Sequence, residues 1–428
     1  MVFSTSSAFE NPALFRRAIL DLPITYSEGP VYKGAHFYIQ LTGICDVACS
    51  HCMYSSDQSQ RHSGPMRLDD ADVELALRYV AESSPNKISI SGGGEPFLEL
   101  KHLLRIVEAA QCQYIELITA ANWARSQDSA KSILLKISDA ARSNPRSPEV
   151  MIRASIDLFH LTAPNPVPLQ AYVNLTHAWI EHGDSLQLGF RGLLLEGDRS
   201  VDLLADALGG ILEPQDSWNK VIRLSNDVIL PVTLNVLRFS GKGEQYRSEM
   251  AHRTMALRQY FAAFEEAPNR LLLGRAINDA IKRTYYSVGG ISITLDFDGS
   301  LYIFTATAPD RRCNIRTHTF RESVDWFYRD PITRVLMAEG PYWLCEVVRD
   351  IDNSLADRAI QANDVCSMVD TLLSDEVGRA FATAVALKTL LSRGEVTGFE
   401  QVRLVAAINE LPMAALKESA IEAFKKKT

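Results

Sequence analysis

Three of the chain's seven cysteines, Cys45, Cys49 and Cys52, fall within eight residues, in the order Cys-x3-Cys-x2-Cys. Neighbouring thiolates repel one another, so this spacing indicates a disulfide, a metal site or an iron–sulfur cluster. Cysteine runs with short spacing hold such clusters, and three thiolates on four irons would leave one iron open to a small molecule. Zinc is the main alternative. It usually takes four ligands in two pairs, and His51 could be the fourth.

A second motif follows about forty residues later, where residues 91–96 read Ser-Gly-Gly-Gly-Glu-Pro. Glycine allows another group to approach the backbone closely, because it lacks a Cβ atom. Read alone, the motif is as typical of an ordinary turn. In this order, however, the two motifs resemble those of the radical S-adenosylmethionine (radical SAM) superfamily.

The resemblance implies that Cys45, Cys49 and Cys52 hold a [4Fe–4S] cluster, whose open iron is chelated by the amino and carboxylate groups of S-adenosylmethionine (SAM). His51 occupies the place of an aromatic residue that lies against the adenine. The backbone of the Gly-Gly-Glu motif would meet the methionine amino group. The cofactor contacts expected from the resemblance and the residue types are His51, Tyr54, Gly93, Gly94, Glu95, Asn122, Ser155, Asp157 and Arg191.

Several of these polar residues have a structural alternative. Ser155 and Asp157 resemble a fourth-strand ending that contacts the ribose and methionine parts of SAM, but Asp157 is equally suited to capping the next turn. Arg191 lies in an apolar strand and needs a partner, which could be the methionine carboxylate or a neighbouring Glu. His160 is expected to be structural. Glu196 and Asp198 could bind substrate or cap a helix.

Strands and helices alternate along residues 31–245, which indicates βαβ units with a parallel sheet. The fold class expected is therefore α/β, a partial (β/α)6 barrel, as the resemblance also implies. The polar residues above follow the carboxyl ends of strands, where barrel enzymes build their sites. Strands are predicted at His36–Thr42, Asn86–Ser91, Tyr114–Thr119, Glu149–Ile156, Leu186–Leu195 and Val228–Phe239. Helices are predicted near Pro12–Leu22 and Leu169–His182, and others lie between the strands.

Composition excludes several functional classes. The net charge of −8 argues against a nucleic-acid-binding surface, although a nucleotide could be a small substrate. No apolar stretch is long enough to cross a membrane, and Arg16, Arg17 and Asp21 interrupt any signal-peptide core. Cysteines that are clustered rather than paired favour a reducing cytoplasm.

The last third resembles the SPASM or twitch extension of radical SAM enzymes, which holds auxiliary clusters. A hairpin is predicted around residues 297–299. The chain departs from that family at Phe304 and Val348, where the family has cysteines. Cys313, Cys345 and Cys366 remain, and the preferred expectation is an extension without a cluster. The alternatives are a second cluster held by these three thiolates, or a thiol hydrogen-atom donor such as Cys345 or Cys366.

The domains expected are an N-terminal helical extension (1–30), the barrel (31–245), the SPASM-like extension (246–370) and C-terminal helices (371–428). The resemblance implies an enzyme that reductively cleaves SAM and removes a hydrogen atom from its substrate. It also implies an electron donor such as flavodoxin or ferredoxin. The polar strand ends favour a small polar metabolite or natural-product intermediate, with Arg191 as a candidate catalytic residue. The alternatives are a peptide-maturing enzyme, or a non-catalytic iron–sulfur or zinc-binding scaffold.

Overall fold

The structure is a computed structural model. It describes residues 9–27, 29–30, 32–56, 66–216, 218–225, 227–250, 291–303, 313–360, 365–397 and 402–426. The side chains of residues 337 and 365–367 are outside this description. Phe304, where the chain departs from the SPASM family, therefore lies outside the described residues.

The strands of the described residues form one large sheet and one short pair. They are β1 Thr25–Tyr26, β2 Gly34–Gln40, β3 Lys87–Ser91, β4 Tyr114–Thr119, β5 Glu149–Ser155, β6 Leu186–Leu193, β7 Ile211–Pro214, β8 Asn219–Arg223, β9 Ile229–Asn235, β10 Ile291–Leu295, β11 Leu301–Tyr302 and β12 Val396–Thr397. The large sheet has the order β11-β10-β2-β3-β4-β5-β6-β9-β8-β7, and β1 pairs with β12.

The described helices fall between these strands and in the C-terminal third. They are α1 Pro12–Leu20, α2 Asp70–Ser83, α3 Leu100–Ala109, α4 Gln127–Ser143, α5 Leu158–Leu161, α6 Leu169–His182, α7 Ser200–Ala207, α8 Arg247–Met250, α9 Phe320–Arg329, α10 Pro331–Glu339, α11 Pro341–Arg349, α12 Asn353–Ile360, α13 Val365–Leu372, α14 Glu376–Ser392, α15 Arg403–Glu410 and α16 Met413–Lys425. None of them is long and apolar enough to span a membrane.

The centre of the large sheet confirms the predicted fold class. The six predicted strands, β2 to β6 and β9, are parallel neighbours in chain order. Alternate residues along them are apolar and fully buried, such as Ile88, Ile115 and Val150, because the helices between the strands cover that face. The opposite face, which carries polar side chains, lines the interior of the partial barrel.

Two parts of the sheet differ from the sequence prediction. The hairpin β10–β11 does not stand apart as an extension. β10 runs parallel to β2, with Thr294 opposite Tyr38, and so continues the barrel sheet. The antiparallel strands β7 and β8 were not predicted. They are short and half-exposed, and their residues lack the buried apolar run that marks the parallel strands.

The helices at the two ends of the chain share a second hydrophobic core. Phe15 and Ile19 of α1 pack there with residues of α10, α11 and α14. Arg16 reinforces this packing, since it forms an ion pair with Asp330 at 2.6 Å and donates to Thr383 Oγ1 at 2.8 Å. Both chain ends therefore contribute to one helical unit, and the division into residues 1–30, 246–370 and 371–428 stays a prediction.

Candidate functional site

The loops that follow β2 and β3 are joined by their backbones. Gly94 N donates to Thr42 O at 2.6 Å, and Glu95 N donates to Ile44 O at 2.8 Å. A Cβ atom on Gly94 would lie 1.9 Å from Ile44 O, so only glycine permits this approach. The glycine motif therefore fixes the start of the loop that carries Cys45, Cys49 and Cys52.

The neighbouring Gly93 is also engaged by side chains of the barrel. Its amide donates to Gln40 Oε1 at 2.7 Å, and its carbonyl accepts a hydrogen bond from the Ser56 hydroxyl. Ser56 lies four residues after Cys52, so the second end of the cysteine loop is tied to the same glycine motif. The contact of this backbone with the methionine amino group stays a prediction.

The three cysteines are free and close enough to influence one another. Burial raises the pKa of Cys45 to about 12 and raises that of Cys52, and Cys49 raises both further. The three sulfurs do not all lie within 4.8 Å of one another, since the sole described group that meets this distance does not include them. A disulfide or a zinc ion with Zn–S bonds of about 2.3 Å needs a closer approach. A cluster that places each thiolate on a different iron fits the wider arrangement.

Glu95 anchors the glycine motif to the end of β4. Its carboxylate accepts hydrogen bonds from Thr119 Oγ1 at 2.7 Å, from Ala120 N at 2.9 Å and from Phe97 N at 3.2 Å. The side chain is buried, and burial raises its pKa to about 7 despite these donors. With its carboxylate occupied in this way, Glu95 positions the loop.

Asn122 braces the cysteine loop from the end of β4. Its Nδ2 donates to Asp46 Oδ2 at 2.5 Å, and its Oδ1 accepts from Arg125 Nε at 2.8 Å. The backbone carbonyl of Asp46 accepts from Asn165 Nδ2 at 2.7 Å. Asn122 thus contacts the residue next to Cys45, and its direct contact with SAM stays a prediction.

His51, Asp157 and His160 form a compact cluster beside the cysteines. The Asp157 Oδ2 atom lies 2.8 Å from His160 Nδ1 and 3.7 Å from His51 Nε2. Each of the three offers one ligand atom, and these atoms lie within 4.8 Å of one another. His51 stacks on Phe159 with ring centroids 4.5 Å apart, and its Nδ1 is buried with no hydrogen-bond partner in the part of the chain that the structure describes. One face of the ring is therefore covered by protein.

The ionisable groups of this cluster shift one another's pKa values. Burial lowers the pKa of His51 to about 4. Burial would also raise the pKa of Asp157 and lower that of His160. Their mutual attraction outweighs burial, so the pKa of Asp157 lies well below its usual range and that of His160 well above. Cys49 further raises the pKa of His160, through its charge and a side-chain hydrogen bond. Asp157 also caps α5, since Oδ1 accepts from His160 N at 3.0 Å. Both roles observed for Asp157 are structural.

The loop after β9 packs directly against the cysteine loop. Gly241 has a φ of +55°, and a Cβ there would lie 2.3 Å from Met53 O. Lys242 N donates to Cys52 O, and Lys242 Nζ donates to Ser56 O, both at 2.9 Å. This loop therefore supports the cysteine loop from the side of β9.

Polar side chains fill the barrel interior below the loops, and sequence reasoning missed most of them. Glu116 is buried between Lys87, whose Nζ lies 2.8 Å from Oε2, and Arg153, whose Nη2 lies 2.5 Å from Oε1. Tyr54 Oη lies 3.5 Å from Tyr38 Oη. The sequence carried a signal for these interior residues, because polar residues occupy alternate positions of the strands and therefore share one face of the sheet. The interior residues of this kind are His36, Tyr38, Gln40, Lys87, Ser89, Glu116, Arg153, Ser155, Arg191 and Asn235.

Arg191 and Ser155 face each other across β5 and β6 in this interior. When the oxygen and nitrogen of the Asn235 side-chain amide are exchanged, Asn235 Oδ1 accepts hydrogen bonds from Arg191 Nε and from Arg191 Nη2, the second at 3.2 Å. Asp198 instead holds the loop before α7, since Oδ1 accepts from Ser200 N at 2.9 Å and Oδ2 accepts from Leu158 N at 3.3 Å, and Glu196 is exposed. The structure thus brings Arg191 and Ser155 to the barrel mouth and gives Asp198 a structural role.

The C-terminal cysteines do not converge in the described part of the chain. Cys313 is fully buried in the core of the barrel sheet, and Cys345 is fully buried in the helical core, 3.8 Å from Ala356 O. The side chain of Cys366 lies outside the described residues. A buried Cys345 in the helical core does not fit the hydrogen-atom donor role, and a cluster shared by Cys313 and Cys345 does not fit their separate cores.

Comparison with known proteins supports the iron–sulfur assignment. Residues 33–141 match the family of the 4Fe-4S single cluster domain. No curated protein matches the sequence. Among solved structures, the chain is similar to histidine-tagged anSMEcpe with bound AdoMet, at 12% identity and a TM-score of 0.42, over 91% of this chain and 99% of that one. It is also similar to Streptococcus suis SuiB bound to S-adenosylmethionine, at 12% identity and a TM-score of 0.35, over 79% of this chain and 84% of that one.

The matched domain contains β2, β3 and β4 together with the cysteine loop and the glycine loop. Those loops lie at the carboxyl ends of adjacent parallel strands and are joined by backbone hydrogen bonds. The comparison therefore supports an iron–sulfur domain of the 4Fe-4S single cluster kind at residues 33–141, with the cysteine loop and the glycine loop inside it.

Proposed function

We propose that this chain is a radical SAM enzyme that acts on a small polar metabolite or natural-product intermediate. The observation that carries the proposal is the junction between the cysteine and glycine loops, made by Gly94 N to Thr42 O and Glu95 N to Ile44 O. This junction places the cysteine loop directly against the glycine loop, which is the arrangement that a cluster and SAM bound between them would need.

In this proposal Cys45, Cys49 and Cys52 hold the cluster, and SAM binds between it and the glycine loop. When bound, the cluster supplies the electron that cleaves the sulfonium of SAM, as in the superfamily. The chain's own residues position and enclose the reactants. His51, stacked on Phe159, provides an aromatic surface at the place expected for the adenine.

The polar interior of the barrel favours a small polar substrate. Ser155, Arg191 and Asn235 offer hydrogen-bonding groups directly beneath the loops. A peptide substrate is the alternative within the superfamily, and this would require the mouth of the barrel to admit an extended chain. The electron donor would be a small protein such as flavodoxin or ferredoxin.

The test is anaerobic reconstitution with iron and sulfide, followed by incubation with SAM and dithionite. We expect 5′-deoxyadenosine to form in the wild-type protein. The triple variant Cys45→Ala, Cys49→Ala, Cys52→Ala is the negative control. A wild-type protein that holds four irons and releases no more 5′-deoxyadenosine than this control would contradict the proposal.

The Asp157→Asn variant distinguishes the two possible roles of Asp157. If Asp157 contacts SAM, the dissociation constant for SAM should rise about 10- to 100-fold, as expected for a lost charge-assisted hydrogen bond. If it only holds His160 and caps α5, SAM affinity should stay near wild type while the protein loses stability. Asp375→Asn, at the N-cap of α14 in the helical unit, is the control.

A metal-binding scaffold without catalysis is the second candidate, and one observation favours it. The ligand atoms of His51, Asp157 and His160 lie within 4.8 Å of one another, a distance that a single zinc ion could bridge. Metal analysis of the purified protein distinguishes the two candidates. One zinc that is lost in His160→Phe, with no iron retained on reconstitution, would favour the scaffold.

A further inference from the structure

The amide of Gly93 is bound by a side chain of β2. Gly93 N donates to Gln40 Oε1 at 2.7 Å, and Gln40 is 1% exposed. A glutamine amide carries its acceptor oxygen and its donor nitrogen on one planar group, so the partner of the nitrogen also sets the direction of the oxygen. The orientation of Gly93 therefore depends on what Gln40 Nε2 binds.

That partner lies on the hairpin β10–β11, far away in the sequence. Gln40 Nε2 donates to Tyr302 Oη at 2.8 Å, across a sequence separation of 262 residues. Tyr302 belongs to β11 and is buried. The two hydrogen bonds form one path, from the Tyr302 hydroxyl through the Gln40 amide to the backbone of Gly93. Because this path is shielded from water, loss of the Gln40 amide would leave the buried Gly93 N–H without its acceptor, which is costly.

The turn of the same hairpin packs against the glycine loop. A Cβ atom on Gly93 would lie 3.2 Å from Cδ1 and from Cε1 of Phe297, so the aromatic ring lies directly against the Gly93 backbone. The Gly93 carbonyl is held in addition by the Ser56 hydroxyl. The position of Gly93 is therefore set by three contacts, and two of them lead to the hairpin.

The hairpin turn is itself fixed to the outside of the barrel. Arg316, which follows the hairpin, donates to both carboxylate oxygens of Asp72 in α2, each at 2.7 Å. Its Nη1 also donates to Asp298 O in the turn, at 3.1 Å. A bidentate pair of this kind holds its two partners in one geometry. With β10 paired to β2, the hairpin is a fixed support for the groups that contact Gly93.

We propose that the hairpin β10–β11 is a positioning element of the SAM site. Tyr302, acting through Gln40, and Phe297 hold Gly93 in the orientation in which the glycine motif receives the methionine amino group. The proposal rests on the radical SAM function proposed above and extends its machinery to a part of the chain outside the cysteine and glycine motifs. It gives the C-terminal third a role that does not depend on a second cluster.

The first test measures the dissociation constant of SAM for the reconstituted holoenzyme. Gln40→Met keeps the length of the side chain and removes both hydrogen bonds, so the constant should rise about tenfold. Tyr302→Phe keeps the ring and should raise it about two- to fivefold. Gln40→Glu keeps an acceptor for Gly93 N and should stay closer to wild type than Gln40→Met. Tyr26→Phe is the matched control, because its hydroxyl donates to Arg329 O beside the helical unit.

A second ligand separates positioning from general damage to the site. 5′-Methylthioadenosine carries the adenosine part of SAM without the amino acid, so its dissociation constant should stay within about twofold of wild type in every variant. Equal weakening of both ligands in Gln40→Met and Tyr302→Phe would show a general disturbance and would overturn the proposal. Unchanged SAM affinity in both variants would overturn it as well.

Hydrogen exchange at the Gly93 amide tests the path in the same proteins without SAM. Gln40→Met should speed this exchange about tenfold, and Tyr26→Phe should leave it unchanged. Exchange that stays at the wild-type rate in Gln40→Met would show that Gln40 does not hold Gly93.

Iron content controls for loss of the cluster, since each variant should keep about four irons per chain. If Gln40→Met fails to fold, the milder Tyr302→Phe decides the question through the same two ligands. Failure of the proposed function is distinguishable, because it appears as absent SAM cleavage in the wild type. Failure of the positioning role appears as unchanged SAM affinity in variants of an active wild type.

Discussion

The barrel mouth and the helical unit formed by the two chain ends use the same residue types in opposite ways. At the mouth, Cys45 and Cys52 lie in a loop whose backbone and side chains are tied to the neighbouring loops. In the helical unit, Cys345 is packed among apolar side chains. Among the described residues the buried cations also differ, because Arg16 pairs with a carboxylate and Arg191 is bound by the amide of Asn235. Binding sites leave such groups uncompensated, whereas structural cores satisfy them.

The largest expected effect tests this contrast between cysteines. Replacing Cys45, Cys49 or Cys52 with Ala should remove the cluster, so iron after reconstitution should fall from about four per chain toward zero. Cys345→Ala should leave the iron content unchanged and lower only the stability. An equal loss of iron in the loop-cysteine variants and in Cys345→Ala would show that the two kinds of cysteine do not differ in iron binding. About eight irons in the wild type would indicate a second cluster.

The next effect concerns the junction of the two loops. Gly94→Ala places a Cβ 1.9 Å from Ile44 O, so we expect the loops to separate and both iron retention and SAM affinity to fall at least about tenfold. Gly29→Ala is the control, because nothing lies within 4 Å of its Cβ position. Normal iron content in a folded Gly94→Ala protein would argue that the junction is dispensable.

A mutation in the helical unit should change stability alone. Arg16→Met leaves Asp330 without its ion pair and removes a donor to Thr383, so the free energy of unfolding should fall by about 3 kcal/mol. Denaturant unfolding measures this change. Iron per folded chain should match wild type, and a proportional loss of iron would mean that the two regions are coupled.

A smaller effect concerns a buried histidine at the base of the barrel. Burial, followed by the charge of Lys87, lowers the pKa of His36 to about 4 from 6.5. The folded state therefore binds fewer protons than the unfolded state between these values. His36 should contribute stability that is present above pH 6.5 and is lost as the pH falls toward 4.

The comparison of wild type with His36→Gln isolates this contribution, which should reach about 2–3 kcal/mol. The free energy of unfolding of the wild type should decline more steeply between pH 6.5 and 4 than that of the variant. Parallel curves would mean that His36 is solvated in the folded protein.

Much of the barrel could be predicted from sequence because its signals are local. β4 and α6 were predicted at their observed bounds, since an apolar run or helical periodicity marks each of them. The cysteine and glycine motifs could be identified in the same way, because iron ligation and close backbone approach each demand particular residue types. The short strands β7 and β8 lacked such a signal and were missed.

Residue type and short-range spacing were enough to identify the candidate cluster ligands, the glycine loop and the succession of parallel strands. Which groups meet one another was settled by long-range packing. That packing paired Asp157 with His160, joined β10 to β2, placed Cys313 and Cys345 in different cores, and brought the Asn235 amide to Arg191. Such pairings depend on contacts between distant elements, and the free energy of burial that selects them has no local signature.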